Sequence, residues 1–193
     1  KRSGAMGQAI ATPAYADQTV KALGGGILYY DGSALHALNE QGRQIWNYAV
    51  GVDAGFSVDS GGVAAWSGTM LSLLTSEEGL TQFSGSMEGE ILAARMGTVY
   101  SAVQTGEEHN SVMLVLDASG RQVDRIELKN QTLLDFGFFN NDALLWVMSL
   151  DTEGTTPMCS ISTYRPGKML AGSITDATQV LYEVLFQSSR IRA

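Results

Sequence analysis

A turn motif recurs along this chain at intervals of about forty residues, and this repeat constrains the fold more than any other feature. Residues 38–45 have the sequence LNEQGRQI, and residues 116–123 have the sequence LDASGRQV. Related segments occupy residues 74–80 and 161–169. The turns centre on four glycines, which are 37, 41 and 47 residues apart: Gly42, Gly79, Gly120 and Gly167. Repetition of this length indicates one supersecondary unit that is built several times.

Each turn is predicted to join two β-strands. Apolar or alternating runs precede the turns at residues 34–38, 70–74, 112–116 and 158–161. A second strand follows, as in residues 123–128, where apolar and charged side chains alternate. Glycine suits the turn because it adopts positive φ without a Cβ clash.

Another hairpin precedes each of these. Its strands are predicted at residues 20–23 and 27–30, 56–59 and 63–66, 91–95 and 98–103, and 133–139 and 143–150. The chain is therefore predicted to contain four units of four short strands, with no amphipathic helix of three turns.

Four-stranded units that repeat every forty or so residues predict an all-β chain with a β-propeller fold, built from about four antiparallel blades. A β-sandwich also has frequent turns, but it would not repeat one motif at a fixed step. We expect a single propeller-like domain over residues 19–193, with residues 1–18 as an N-terminal extension or closing strand. The unit boundaries are expected at about 19–51, 52–86, 87–130 and 131–172, and residues 173–193 remain.

Closure of the ring has three solutions. The two ends could pair and close a small propeller, the chain could be a portion of a larger propeller, or two chains could join their open blade edges as a homodimer. Exposed strand edges and apolar faces favour pairing of some kind. We favour a portion of a larger propeller.

Residues 32–46 carry a family resemblance. The sequence Ala37-Leu38-Asn39, the turn at Gly42 and Trp46 four residues later resemble the repeat of quinoprotein-type propellers, also called the PQQ repeat. The resemblance implies that Trp46 docks between neighbouring blades in a structural role. The later turns depart from it, because the third unit has Asp124 and the fourth has Ala171 where the first has Trp46.

Proteins with this repeat are of two kinds, quinone-dependent dehydrogenases and non-catalytic bacterial scaffolds that include membrane-tethered extracytoplasmic propellers. The degenerate turns of this chain resemble the second kind. The resemblance therefore implies an extracytoplasmic location, with membrane attachment only through an anchor that precedes residue 1. Two interpretations of the first residues stay open: Lys1 and Arg2 are the positive flank of that anchor, or the segment Ser3-Gly4-Ala5-Met6-Gly7 is a cloning scar at an artificial boundary.

Charge and cysteine content exclude several classes of function. Twenty acidic residues oppose twelve basic ones, the net charge is −8, and no basic patch is visible. We therefore expect no nucleic-acid partner. The single cysteine, Cys159, excludes an internal disulfide and a multi-cysteine metal site, and its apolar surroundings predict a buried core residue.

The sequence predicts no catalytic, cofactor-binding or metal-binding residue, although several residues were candidates. His36 is expected on the surface or in a groove, and residues 107–110 are expected to form a solvated hairpin tip. Aspartates at strand ends could line a central channel and bind a cation, but turn capping is the simpler role. These aspartates are Asp53, Asp59, Asp135, Asp142 and Asp151.

We therefore expect a non-catalytic extracytoplasmic scaffold that needs no cofactor and binds a protein through loops on one face of the ring. The alternatives are a sensor that binds a small sugar or peptide, and a degenerate quinoprotein-type enzyme.

Overall fold

The computed structural model describes residues 13–15, 18–139, 144–151, 157–167, 170–176, 185–187 and 190–192, which contain eighteen β-strands and no helix. Sheet 1 consists of β1 (Val20–Leu23), β2 (Gly26–Tyr30), β3 (Ala34–Leu38) and β4 (Gln44–Ala49). Sheet 2 consists of β5 (Gly55–Asp59), β6 (Gly62–Ser67), β7 (Met70–Leu74) and β8 (Thr81–Ser86).

Two further groups of four strands follow in the same order. Sheet 3 consists of β9 (Ile91–Met96), β10 (Tyr100–Glu107), β11 (Asn110–Asp117) and β12 (Gln122–Glu127). Sheet 4 consists of β13 (Gln131–Phe138), β14 (Leu145–Asp151), β15 (Met158–Tyr164) and β16 (Leu170–Asp176). One parallel pairing, Asn110 with Gln131, joins sheets 3 and 4. A hairpin of β17 (Leu185–Gln187) and β18 (Arg190–Arg192) follows.

In each sheet the strands pair antiparallel in chain order, as propeller blades do. The predicted fold class, an all-β chain of four-stranded antiparallel blades, is therefore confirmed. The proposed unit boundaries stay a prediction, and Asp142 lies outside the described residues.

The repeated turn has one local geometry. All four turn glycines have positive φ, from 64° at Gly79 to 79° at Gly120. In every sheet the register between the third and fourth strands shifts beside this turn. A side-chain oxygen caps two of the turns, because Asn39 Oδ1 and Asp117 Oδ1 each accept two backbone N–H bonds. The Asn or Asp and the Gly of the motif are thus the residues that build the turn.

Apolar side chains fill the space between consecutive sheets. Sheets 1 and 2 bury Leu28 and Leu35 against Val63 and Leu74. The next two interfaces are built in the same way, around Leu71, Val103 and Leu114, and around Met113, Val115, Leu145 and Val147. Sheets 2 and 3 therefore bury both faces, which explains why their strands β6 and β11 contain long apolar runs.

The fourth strand of each of sheets 1, 2 and 3, which we call the outer strand, also contacts the repeated turn of the following sheet. Trp46 of β4 packs on Gly79, and Phe83 of β8 packs on Gly120, so that a Cβ atom at either glycine would overlap the ring. These two aromatic residues each lie four positions after their own turn glycine. At the same position in sheet 3, Asp124 Oδ2 accepts a hydrogen bond from the backbone N–H of Gly167 at 3.0 Å.

Candidate functional site

Loops at one end of the four sheets form a connected surface, which we call the loop face. It comprises residues 31–33, 50–54, 67–70, 87–92, 106–110 and 127–131, which turn between the second and third strands or lead to the next sheet. Hydrogen bonds link successive loops, among them Ser67 Oγ to Val52 O, Ile91 N to Gly68 O, and Gly106 N to Glu90 O. The loop face is therefore continuous across the first three sheets.

The loop at residues 50–54 is fixed by its neighbours. The N–H groups of Val50 and Gly51 both donate to Ser33 O, at 3.1 and 3.0 Å. The hydroxyl of Tyr30 donates to Gly51 O at 2.7 Å, and Ser67 Oγ donates to Val52 O at 2.7 Å. These bonds hold the loop in one conformation although two of its residues have positive φ, 107° at Gly51 and 50° at Asp53.

This fixed loop presents an apolar side chain to solvent, because Val52 is 68% exposed. Two further exposed apolar residues lie on adjoining segments of the loop face, Met70 at 47% and Leu92 at 39%. The segment before Leu92 is also held, since Met87 N donates to Thr69 O at 2.8 Å. We call Val52, Met70 and Leu92 the apolar rim.

The loop face also carries an excess of acidic side chains. Among the loop-face residues that the structure describes, Lys129 is the only lysine or arginine, whereas seven residues are acidic: Asp31, Asp53, Glu88, Glu90, Glu107, Glu108 and Glu127. Two of the acids are paired, Glu88 with Arg125 at 2.8 Å and Glu127 with Lys129 at 2.9 Å. The Lys129 ammonium lowers the pKa of Glu127, chiefly through that hydrogen bond.

The carboxylate of Asp31 has its own partners. Oδ1 accepts hydrogen bonds from the N–H groups of Ser33 and Ala34 and from the Ser33 hydroxyl. Oδ2 lies 2.7 Å from His36 Nε2, and the His36 ring stacks on Tyr29 with 5.1 Å between centroids. The backbone bond from Ala34, followed by the His36 and Ser33 contacts, lowers the pKa of Asp31.

The opposite ends of the strands differ in charge. The turns that the structure describes at this end lie at residues 24–25, 39–43, 60–61, 75–80, 97–99, 117–121 and 165–167. They carry four acidic and three basic residues: Glu40, Glu77, Glu78, Asp117, Arg43, Arg121 and Arg165. Leu80 and Val99 are exposed here, at 57% and 45%. This opposite face therefore offers apolar side chains with an excess of only one negative charge among its described turn residues.

A third group of charges lies on the first strands of the sheets. Arg95 of β9 bonds Asp59 of sheet 2 through Nη1 at 3.2 Å and Asp135 of sheet 4 through Nη2 at 3.1 Å. Lys21 of β1 donates to Phe56 O at 2.8 Å and lies over the Phe56 ring. Burial, and then the nearby Arg95 charge, lowers the pKa of Lys21. One guanidinium thus joins three consecutive sheets.

The candidates from the sequence occupy different parts of the molecule. Arg95 brings Asp59 and Asp135 together, Asp53 lies on the loop face, and Asp151 ends β14, where it pairs with Gln131 of β13. Among the described residues, no group of three or more His, Cys, Asp or Glu side chains converges on one point. Cys159 is buried as predicted.

We call the charged residues on the first strands, Lys21, Asp59, Arg95 and Asp135, the inner network. Sequence reasoning missed its two cations, Lys21 and Arg95. A signal for them was present, because Lys21, Asp59, Arg95 and Asp135 recur at 38, 36 and 40 residues, close to the repeat length. The apolar rim was also missed, since exposure of one Val or Met cannot be read from a sequence.

Comparisons with known proteins bear on the fold. No family model matches the chain, and no curated protein matches it. Among solved structures it is similar to BamB from Moraxella catarrhalis, with 15% identity and a TM-score of 0.55 over 88% of this chain and 55% of that one. It is also similar to Saccharomyces cerevisiae Sqt1, with 11% identity and a TM-score of 0.57 over 83% of this chain and 47% of that one.

A third similar structure is Kuenenia stuttgartiensis hydrazine synthase, with 11% identity and a TM-score of 0.55 over 74% of this chain and 48% of that one. The described residues contain no helix of the length and apolar character needed to cross a membrane. The chain spans about half the length of the structures it matches. These structures are propeller proteins, and the likeness shows that this chain has a β-propeller fold.

Proposed function

We propose that this chain is a protein-binding part of a β-propeller and that the loop face is its recognition surface. The observation that carries the proposal is Val52, which is 68% exposed at the tip of a loop held by hydrogen bonds. An exposed apolar side chain on a rigid loop gains free energy on contact without a large cost of ordering the loop. Met70 and Leu92 extend the apolar area along the same face.

A non-catalytic role is part of the proposal. Two places at the described loop face bring a hydroxyl close to an imidazole: His109 Nδ1 lies 2.8 Å from Thr132 Oγ1, and a second cluster consists of Ser33, Asp31 and His36. There the Ser33 hydroxyl donates to Asp31 Oδ1, and His36 contacts the other oxygen of the same carboxylate. The imidazole is therefore not placed to take the serine proton, as a nucleophile–base pair requires.

We also propose that the turns belong to the quinoprotein-type repeat and that the protein works outside the cytoplasm, attached to the membrane by an anchor before residue 1. The docking of Trp46 on the next sheet supports the first part, and the resemblance of the turn sequence supports the second. Protease treatment of source cells whose outer layers have been removed and whose cytoplasmic membrane is intact tests the location, and full protection of the chain in these cells would contradict it.

The binding function is tested by capture from an extract of the source cells. The Val52→Ser/Met70→Ser variant removes two rim side chains, and the Leu80→Ser/Val99→Ser variant removes two exposed apolar side chains from the opposite face. We expect a protein that the native chain and the Leu80/Val99 variant retain and the Val52/Met70 variant loses. Equal capture by all three chains would contradict the loop face as the recognition surface.

A ligand sensor is the second candidate. A groove of about 400 Å³ at the edge of the loop face favours it, lined by Asn110, Ser111, Val112, Glu127, Lys129 and Asn130. Amide, hydroxyl and charged groups of this kind bind small polar molecules. Native mass spectrometry of the purified chain tests it, because a retained small molecule would support the sensor and its loss in Asn110→Ala would locate the site.

A further inference from the structure

We infer that the partner of the loop face is a basic segment of a protein chain whose lysine or arginine side chains alternate with apolar ones. The inference rests on the proposed function, since it names the chemistry of the partner that binds the same surface. It follows from the juxtaposition of the apolar rim with unpaired carboxylates.

The first step is the charge asymmetry between the two ends of the sheets. The loop face carries seven acidic residues and one lysine, and the opposite face carries four acidic and three basic residues. The negative charge of the described turns is therefore concentrated at the end that also carries the apolar rim. A surface of one sign raises the local concentration of oppositely charged partners and accelerates their association.

The second step is that several of these carboxylates are available. Among the residues that the structure describes, Asp53, Glu90, Glu107 and Glu108 form no ion pair, and all four are exposed. A basic partner can therefore pair with them without first breaking an internal salt bridge. Such exposed pairs contribute about 0.2–1 kcal/mol each, so they set orientation and rate more than affinity.

The third step is the continuity of apolar and acidic groups. Asp53 follows Val52 directly, and Glu90 lies two residues before Leu92. Gly106 N donates to Glu90 O, which places the Glu107–Glu108 turn beside the same segment. Apolar and acidic side chains thus alternate along the loop face, and a chain that alternates lysine with leucine complements both.

The test uses three short synthetic peptides that alternate leucine with lysine, leucine with serine, or leucine with glutamate. Binding to the chain is followed by fluorescence anisotropy at low salt and at about 0.15 M salt, where the Debye length is about 8 Å. We expect the leucine–lysine peptide to bind at least about tenfold more tightly than the other two and to lose affinity as salt rises. Equal binding of all three peptides would overturn the inference and leave the binding function standing.

Matched variants show whether the peptide binds at the loop face. Glu107→Gln/Glu108→Gln and Glu77→Gln/Glu78→Gln each neutralise two adjacent exposed glutamates, one pair on each face. We expect the first variant to weaken binding of the leucine–lysine peptide about fivefold and the second less than about twofold. Equal effects of the two variants would mean that net charge alone attracts the peptide, and this result would overturn the inference.

Val52→Ser/Met70→Ser completes the test, with Leu80→Ser/Val99→Ser as its control. Weaker binding only in the first variant supports an apolar contribution at the rim. Unchanged binding of the leucine–lysine peptide to the first variant would overturn the inference. The binding function itself is tested separately, by the capture experiment with the natural partner.

Discussion

The indole nitrogen of Trp46 donates a hydrogen bond to the carbonyl oxygen of Ser76 at 3.0 Å, which joins the outer strand of sheet 1 to the turn of sheet 2. The ring packs on Gly79, and the exposed fraction of Trp46 is only 7%. This residue therefore fixes the position of one sheet against the next, and it reaches the turn only because glycine leaves room for the ring.

Trp46→Phe tests the hydrogen bond separately from the packing. The phenyl ring keeps most of the contact with Gly79 but cannot donate to Ser76, so we expect the free energy of unfolding to fall by about 1 kcal/mol. Trp46→Ala also removes the ring and should cost about 3–5 kcal/mol. Urea unfolding followed by circular dichroism measures both, and equal losses would show that the ring packing contributes nothing.

Gly120→Ala is expected to destabilise the fold more than Gly167→Ala. Both residues occupy the same turn position, with φ of 79° and 73°, but an added Cβ meets Phe83 at Gly120 and open space at Gly167. Backbone strain should cost about 1 kcal/mol in each variant, and displacement of Phe83 should add about 1–3 kcal/mol in the first. Thermal unfolding compares them, and similar melting temperatures would show that Phe83 moves aside freely.

Arg95→Met should loosen the contact between three sheets. The substitution leaves the carboxylates of Asp59 and Asp135 without their guanidinium. Because these side chains are partly exposed, we expect a loss of only about 1–2 kcal/mol. A double-mutant cycle with Asp59→Asn should give a coupling energy of about 0.5–1 kcal/mol, and additive losses would contradict a direct interaction.

Acid stability should depend on Asp117. Hydrogen bonds, chiefly from the Ser119 hydroxyl, lower the pKa of Asp117 from 3.8 to about 2. Because the folded state lowers this pKa, the carboxylate stabilises the fold above about pH 4, and the contribution is lost as the pH falls from about 4 to 2. Asn39 caps the same turn in sheet 1 with an amide oxygen, so Asp117→Asn should keep the turn.

The measurement for this prediction is the free energy of unfolding of the native chain and Asp117→Asn between pH 2 and pH 6. We expect a smaller pH dependence in the variant over the acid range. The same slope in both proteins would show that Asp117 does not contribute to acid unfolding.

The repeat in the sequence predicted the architecture because the residues that form each turn lie next to one another in the sequence. Asn39 and Asp117 cap the first and third turns, a Gly provides positive φ in all four, and an apolar run precedes each turn, so residues 38–45 and 116–123 are recognisable without knowledge of the rest of the chain. The packing role of Trp46 was implied by the resemblance of this turn to the quinoprotein-type repeat. Its partner Gly79 shows that role in the structure.

The inner network and the loop face depend on contacts between distant residues. Lys21 contacts Phe56, and Arg95 contacts Asp59 and Asp135, only in the folded chain. Val52 is an ordinary apolar residue in the sequence, and its exposure follows from the hydrogen bonds that hold residues 50–54 away from the core. Sequence patterns report local conformation well, but they do not report which side chains the assembled sheets leave uncovered.

The most direct test of the loop face as a recognition surface is hydrogen–deuterium exchange of the chain with and without the protein that it captures. We expect the partner to slow exchange at residues 50–54, 67–70 and 87–92. Residues 75–80 and 97–99, on the opposite face, should exchange at the same rate in both samples. Slower exchange at the opposite face, with the loop face unchanged, would contradict the account.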